Sequence, residues 1–138
     1  MAVPLNARVR ALLDGRNYAV VATVNPDGSP QSSPMWIDRD GDDVLFCTVA
    51  GRRKERNLRR DPRVSVTVFD LQDPENYAEI RGTATITADG ARAFDDRLSL
   101  KYDGRPKDPD PPGWVRVIVR VTPSRVTGHA ADPADPAG

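Results

Sequence analysis

Apolar and polar residues alternate along much of this chain with the two-residue period of a β-strand. Segment 18–24 is rich in β-branched residues, and the turn 25–30 after it contains proline and glycine, which favour a chain reversal. A return strand is predicted over 31–37. After an acidic turn at 38–43, the apolar segment 44–49 is predicted as the next strand. The first half of the chain therefore predicts a meander of hairpin-connected strands.

The second half of the chain contains further strand-like segments. Segment 77–87 alternates over its whole length, with threonines and charged residues on one face and mainly apolar residues on the other. Segments 64–69 and 114–121 are rich in valine, and a short last strand is predicted over 125–127. Together the two halves predict six or seven strands.

Short helices are predicted at three places along the chain. Apolar residues recur at helical spacing over 5–13. The second helix is predicted over 51–60, because the residue before Pro62 is pushed out of the α region. Asp89 is suited to cap a third helix, which carries an apolar stripe over 91–98.

Strands joined mainly by hairpins, with short helices between them, predict a mainly β fold. Alternating βαβ units are absent from the pattern, so a Rossmann domain is not expected, and the sequence has no glycine-rich dinucleotide or phosphate loop. We predict an antiparallel β-barrel with helical plugs, formed as one domain over residues 1–129. Segment 130–138 has little apolar surface to bury and is predicted as a disordered C-terminal tail.

The balance of charges limits the class of partner. The 138 residues include 20 Lys and Arg and 20 Asp and Glu, so the formal net charge is zero at pH 7. Nucleic-acid binding needs a basic surface, so no such partner is expected. The apolar runs are strand-sized and no signal peptide is recognised, which predicts a cytoplasmic protein without a membrane partner. Cys47 is the single cysteine, which excludes an intramolecular disulfide, and no metal site is predicted.

Positive charge is concentrated in the second predicted helix. Its first turn carries Arg52, Arg53 and Lys54, where the helix dipole disfavours cations. Arg56 and Arg60 extend the basic face, since residues four apart are neighbours on a helix. Backbone N–H groups at a helix N-terminus, together with converging basic side chains, favour a bound phosphate or carboxylate. The alternative is a solvated basic face without a ligand.

Seven motifs follow one another in a specific order. They are 19–24, 25–30, 33–37, 45–48, 53–58, 61–66 and 80–84. This order resembles the pyridoxamine 5′-phosphate oxidase-like family of split β-barrel flavoproteins, and within it the small members that use the deazaflavin coenzyme F-420. The resemblance covers residues 5–127 and implies a split β-barrel.

The resemblance also implies a homodimer with a flavin-type cofactor in each groove between the subunits. Thr48 corresponds to a hydroxyl that faces the phosphate or ribityl chain. Tyr77 corresponds to a position that faces the cofactor from the other subunit. The positions that grip the phosphate, or lie next to it, carry Arg52, Arg53, Lys54 and Asn57. The strand whose backbone lies along the ring system carries Ser33, Pro34, Met35 and Trp36.

The activity implied by the resemblance is transfer of a hydride from reduced F-420 to an electron-poor small molecule, such as a conjugated carbonyl compound. F-420 carries a phosphodiester and a polyglutamate tail, which suits a basic face that extends to Arg56 and Arg60. The vitamin-synthesising oxidases end in a signature with Trp and Arg that segment 121–129 lacks, so pyridoxamine phosphate oxidation is not expected. The hard chemistry would belong to the cofactor, and no catalytic residue is predicted.

Three alternatives to this function stay open. They are an FMN oxidoreductase on the same fold, a non-catalytic carrier of F-420 or FMN, and a small anion-binding barrel without a redox role. Cys47 lies in the middle of an apolar strand and is expected to be a core residue rather than a nucleophile. The proton that follows a hydride is expected from Tyr77 or from solvent.

Overall fold

The computed structural model describes residues 2–132, which form seven β-strands, three α-helices and one 3₁₀ turn. The strands are β1 (Tyr18–Val24), β2 (Pro30–Trp36), β3 (Asp38–Asp40), β4 (Asp43–Val49), β5 (Arg63–Phe69), β6 (Tyr77–Thr87) and β7 (Arg116–Thr127). The helices are α1 (Ala7–Asp14), α2 (Arg53–Arg60) and α3 (Ala91–Asp103), and the 3₁₀ turn is His129–Ala131.

One antiparallel sheet contains all of these strands, in the spatial order β2-β1-β5-β6-β7-β4-β3. The sheet curls so that β2 also contacts β4, which produces a half-open barrel. This architecture confirms the predicted split β-barrel of six or seven mostly antiparallel strands, with short helices.

The main core forms where α1 packs against the sheet. The helix begins after Asn6, whose side-chain oxygen accepts a hydrogen bond from the N–H of Val9 at 2.9 Å. Its buried residues meet apolar residues of β1, β4, β5, β6 and β7. A second, smaller cluster joins α3 to β4. It contains Leu45, Cys47, Phe94 and Leu98, with Trp36, Tyr102 and Ile118 packed against it.

Strands β6 and β7 approach each other closely at Gly82. The register of the pair shifts between Arg81 and Gly82. A Cβ atom added to Gly82 would lie 2.2 Å from the carbonyl oxygen of Thr122. No side chain fits at that distance, so this contact between two backbones requires glycine.

Some element boundaries differ from those predicted. β3 occupies part of the predicted turn 38–43, because its residues pair with β4. The predicted strands 114–121 and 125–127 belong to one strand, β7. Helix α3 begins after Gly90, which has a left-handed φ of 73°, and not at an Asp89 cap. A glycine accepts this conformation at no steric penalty.

The predicted tail boundary at residue 130 is wrong. Ala130 is fully buried in the main core, and the side chain of Asn6 donates a hydrogen bond to its carbonyl oxygen at 2.9 Å. A single buried alanine has no apolar pattern around it in the sequence, so its burial could not be read from segment 130–138. Residues 133–138 of the predicted tail lie outside the described residues.

Within residues 2–132, no helix has both the length and the apolar character needed to cross a lipid bilayer.

Candidate functional site

A cleft of about 260 Å³ opens beside β2, at the place where α3 and the loop 104–113 pack near β4. Its lining residues are Tyr18, Pro34, Met35, Trp36, Cys47, Arg52, Asp95, Leu98, Lys107 and Arg116. Four of the predicted cofactor residues, Pro34, Met35, Trp36 and Arg52, therefore meet in one cleft.

The indole of Trp36 forms a fixed aromatic wall in the cleft. Its ring stacks on that of Tyr102, with centroids 5.1 Å apart and planes within 3°. The hydroxyl of Tyr102 accepts a hydrogen bond from the N–H of Ile37 at 3.1 Å and donates one to the carbonyl oxygen of Asn17. Burial raises the pKa of Tyr102 to about 12, so its hydroxyl stays protonated and the stack stays anchored.

Three cations lie beside tryptophan rings at this site, and one of them is Arg116, whose guanidinium carbon is 5.6 Å from the centroid of Trp114. The Lys107 Nζ is 5.4 Å from the centroid of Trp36, and the Arg52 guanidinium carbon is 4.9 Å from the centroid of Trp114. The loop that carries Lys107 is fastened to α3. The side chain of Asp96 accepts a hydrogen bond from the Lys107 N–H at 3.1 Å, and Arg92 donates to the Lys107 carbonyl at 2.6 Å.

The inner part of the cleft contains an arginine between two carboxylates. Arg116 donates from Nε and Nη2 to the two oxygens of Asp110, at 2.8 and 2.9 Å. Its Nε also lies 3.4 Å from Oδ2 of Asp95. Burial, reinforced by the charge of Asp95, raises the pKa of the Cys47 thiol to about 12. The thiol is therefore protonated near neutral pH, which makes Cys47 a poor nucleophile.

Glu55 compensates part of the positive charge at the start of α2. Its side chain is almost fully buried, and its Oε1 accepts a hydrogen bond from the N–H of Gly51 at 2.8 Å. Its other oxygen pairs with Arg59 one turn later. A glutamate at the third helical position is a recognisable capping signal, and the sequence interpretation, which considered only the cations, missed it.

Arg53 and Lys54 have no such partner. Within residues 2–132, neither side chain forms a hydrogen bond or an ion pair. Lys54 is half-buried, and burial, followed by the charge of Arg52, lowers its pKa. Arg56 is exposed, whereas Arg60 is bound to the carbonyl oxygen of Val24. The uncompensated charge thus lies at the N-terminal end of α2, where the helix dipole also favours an anion.

Asn57 does not join this basic group. It is fully buried, and its Nδ2 donates to Thr23 Oγ1 at 2.9 Å and to Asn25 Oδ1 at 3.0 Å. Its amide therefore fastens α2 to the end of β1. The structure gives Asn57 a structural role instead of a direct place in the cleft.

Two predicted residues present buried hydroxyl groups without partners. Ser33 Oγ and Thr48 Oγ1 have no hydrogen-bond partner among the described residues. Each is adjacent in sequence to a residue of the cleft wall, Pro34 or Cys47. An unpaired buried polar group costs roughly 1–3 kcal/mol, which a polar ligand can offset. The cleft itself combines an aromatic wall with the cations Arg52 and Lys107, and a phosphate-bearing ring system requires both, so the residues fit a flavin-type cofactor.

Tyr77 lies apart from the cleft. It lines a separate, open hollow of about 400 Å³ with Val126, Thr127, Gly128, His129, Ala131 and Asp132. Its ring is 5.7 Å from that of His129, centroid to centroid. The structure therefore does not bring Tyr77 to the cleft of its own chain.

Asp95, Lys107 and Arg116 line the cleft but were not predicted from the sequence. One signal for Asp95 was available, because it lies on the apolar stripe of α3, next to Phe94 and one turn before Leu98. A charged residue on a buried helical stripe is unusual unless it is paired or functional. Lys107 carries no comparable signal, since its position depends on how the loop 104–113 packs.

The family described as pyridoxamine 5′-phosphate oxidase matches residues 5–130. The pyridoxine/pyridoxamine 5′-phosphate oxidase of Rubrobacter xylanophilus is 33% identical over 82 residues, which are 59% of this chain and 37% of that enzyme. The match therefore spans well under half of the length of this curated relative.

Solved structures are similar to this chain over most of its length, and two of them are described below. One is described as an F-420 reductase and is 36% identical, with a TM-score of 0.79, covering 91% of this chain and 98% of that one. The other is a conserved hypothetical protein from Mycobacterium tuberculosis, which is 26% identical, with a TM-score of 0.72, covering 91% of this chain and 84% of that one. The family match extends over nearly all of the described residues. The chain therefore belongs to the pyridoxamine 5′-phosphate oxidase family of oxidoreductases.

Proposed function

We propose that this protein is a coenzyme F-420-dependent oxidoreductase that reduces an electron-poor small molecule, such as a conjugated carbonyl compound. One observation carries the proposal: Pro34, Met35, Trp36 and Arg52 line the same cleft. Arg52 directly precedes Arg53 and Lys54, which form no hydrogen bond or ion pair within residues 2–132. The 36% identity to a structure described as an F-420 reductase supports F-420 as the first choice.

The basic residues at the start of α2 are assigned to the cofactor's phosphate. Arg53 and Lys54 are free of competing carboxylates, and the exposed Arg52 lies at the cleft. Charge-assisted hydrogen bonds of this kind are stronger than neutral ones. Arg56 remains available for a carboxylate of the polyglutamate tail, whereas Arg60 is already bound to Val24 and Asn57.

The chain's own residues contribute binding, orientation and exclusion of water. Reduced F-420 supplies a hydride when it is bound. The Trp36 wall, fixed by Tyr102, gives a flat apolar surface for a ring system, and the backbone of β2 borders the same surface. Holding two reactants in one geometry converts a bimolecular step into an effectively unimolecular one. No residue is assigned as the proton donor.

We also propose that the active unit is a homodimer with a cofactor groove between the subunits. The cleft is open on one side, and Tyr77 faces a different hollow of the same chain. A second copy that presents its Tyr77 hollow to this cleft would close it and exclude water. Size-exclusion chromatography with light scattering tests this directly, and a monomer that turns over substrate at full rate contradicts it.

FMN is the second candidate cofactor. Its single phosphate needs only the cations at the start of α2, and the engagement of Arg60 shortens the basic face that a long anionic tail would use. This alternative predicts that the protein is yellow as purified.

A labelling experiment tests the proposed reaction. Reduced F-420 deuterated at its hydride-donating carbon is mixed with the protein and a panel of conjugated carbonyl compounds. The proposal predicts that deuterium appears in a reduced product, and that an Arg53→Ala, Lys54→Ala double variant is slower. Tight F-420 binding without product from any acceptor would instead indicate a carrier, and absence of F-420 binding would reject the proposed function.

A further inference from the structure

Asp95 has an unusual environment for a carboxylate. It is 3% exposed, it lines the cleft, and its Oδ2 has no hydrogen-bond partner among the described residues. Leaving a buried charged group without a hydrogen bond is more costly than leaving a neutral one. Asp95 Oδ2 is therefore a buried hydrogen-bond acceptor that no group within residues 2–132 satisfies.

Arg116 balances the charge of Asp95 without completing its hydrogen bonds. The Nε and Nη2 protons of Arg116 are directed to Asp110, at 2.8 and 2.9 Å. Asp95 Oδ2 lies 3.4 Å from Nε, close enough for an ion pair, but that N–H is hydrogen-bonded to Asp110. Asp95 therefore lies beside a cation while its Oδ2 keeps an open acceptor position.

The other cations of the cleft do not fill this position. Lys107 lies over the Trp36 ring and Arg52 over the Trp114 ring, and neither forms an ion pair with Asp95. The remaining neighbours on this side include Leu98 and the protonated thiol of Cys47. Asp95 therefore lines the space in which a small molecule binds, with one buried carboxylate oxygen that no neighbour of the cleft fills.

We propose that Asp95 determines substrate specificity by accepting a hydrogen bond from an O–H or N–H group of the small molecule bound in the cleft. The proposal rests on the proposed function in one respect, namely that this cleft takes the hydride acceptor. It narrows the substrate class to conjugated carbonyl compounds that carry a hydroxyl or N–H donor. A ligand without the donor leaves Asp95 unpaired in a cleft from which water has been displaced, and sites of this type discriminate strongly.

Binding to the protein without cofactor tests the proposal. The probes are 4-hydroxycyclohexenone and its methyl ether, 4-methoxycyclohexenone, and the readout is quenching of tryptophan fluorescence, since Trp36 lines the cleft. The hydroxyl compound is expected to bind wild-type protein about tenfold or more tightly than the ether. Equal affinity for the two probes, or binding of neither, overturns the proposal.

Two variants separate recognition from structure. Asp95→Ala is expected to bring the two affinities within about twofold of each other, because the acceptor is gone. Asp95→Leu keeps a similar shape without any acceptor oxygen, so the preference is expected to be lost there too, even if the alanine variant fails to fold. A preference that persists unchanged in Asp95→Leu would report the size of the methyl group alone, and it overturns the proposal.

Asp108→Asn is the matched control. It removes an exposed carboxylate of the neighbouring loop, which pairs with Arg105, and leaves Asp95 and Arg116 unchanged, so the hydroxyl preference is expected to remain. Loss of the preference in Asp108→Asn to the same extent as in Asp95→Ala would mean that negative charge in general, and not the Asp95 acceptor, causes it. The two probes bind without F-420, so the two proposals can fail separately. If the protein prefers the hydroxyl probe but does not bind F-420, only the proposed cofactor is rejected. If the protein turns over F-420 but shows no preference for the hydroxyl probe, only the proposed role of Asp95 is rejected.

Discussion

At the scale of single residues, the basic residues of α2 divide into two groups. Arg59 pairs with Glu55, and Arg60 is bound to Val24 and Asn57, so both stabilise the fold. Arg53 and Lys54 have no hydrogen-bond or ion-pair partner within residues 2–132. The free pair is therefore the part of the basic segment in which substitutions should affect ligand binding more than stability.

Single substitutions of Arg53 or Lys54 test this division. Arg53→Ala and Lys54→Ala should each weaken cofactor binding by about 1.5–3 kcal/mol, the range for hydrogen bonds to charged groups. The thermal midpoint should stay close to that of wild type, because neither side chain has a partner to lose. Isothermal titration or fluorescence gives the affinity. Arg16→Ala, an exposed arginine outside the cleft and α2, is the control, and an equal loss in that variant would point to a non-specific charge effect.

Glu55 should contribute stability in a pH-dependent way. Burial acts to raise its pKa, but the hydrogen bonds from Gly51 and Arg59 outweigh burial, and the pKa in the folded chain is lowered below 4.5. A group with a lowered folded pKa stabilises the fold above its unfolded pKa, and the contribution is lost as the pH falls through the folded value.

Glu55→Gln should therefore lower the free energy of unfolding at pH 7 by about 1.5–3 kcal/mol. The difference from wild type should shrink as the pH falls below 4.5. Urea denaturation at several pH values measures it, with Glu75→Gln, on an exposed loop, as the control. A difference that is constant down to acid pH would show that the carboxylate charge is not the cause.

At the scale of elements, the two-residue period predicted where strands lie better than cap residues predicted where helices begin. The alternation over 77–87 corresponds to β6 with unchanged bounds. Asp89 is a typical cap residue, yet α3 begins after Gly90, which adopts a left-handed conformation that the sequence pattern does not reveal. Asp95 and Lys107 reach the cleft only because α3 and its following loop pack near β4, and such contacts between distant segments have no local signature.

Gly82 gives a prediction for the β6–β7 pair. Gly82→Ala should destabilise the protein by about 1–3 kcal/mol, because the added methyl group would collide with the Thr122 carbonyl and force the two strands apart. Thermal or urea unfolding measures the loss. Thr85→Ala, at an exposed position of the same strand, should change stability by much less. Equal stability of Gly82→Ala and wild type would contradict the close approach of the two backbones.

At the scale of the whole molecule, the chain closes on itself where the 3₁₀ turn packs against α1. Truncation after Thr127 should lower the thermal midpoint by several degrees, because the buried Ala130 and the hydrogen bond from Asn6 are lost. Truncation after Asp132 keeps these contacts and is the matched control. If the two truncated proteins unfold at the same temperature, the 3₁₀ turn does not contribute to stability.

The fold and part of the cleft were predictable at this scale, for different reasons. Hairpin order and hydrophobic period determine a β-barrel without any knowledge of the ligand, and the motif order points to the family. The cleft residues Pro34, Met35, Trp36 and Arg52 follow from that resemblance. The burial of Ala130 and the structural role of Asn57 could not be predicted in the same way, because each depends on the fit of one small group against a distant segment.

The most direct test of the central claim is equilibrium binding of F-420 and FMN, measured side by side by fluorescence on wild-type protein and on Lys54→Ala. We predict that wild-type protein binds F-420 more tightly than FMN and that Lys54→Ala loses most of this affinity. Preferential binding of FMN, or an F-420 affinity that is unchanged in Lys54→Ala, would contradict the assignment of the cleft and of the α2 N-terminus to F-420.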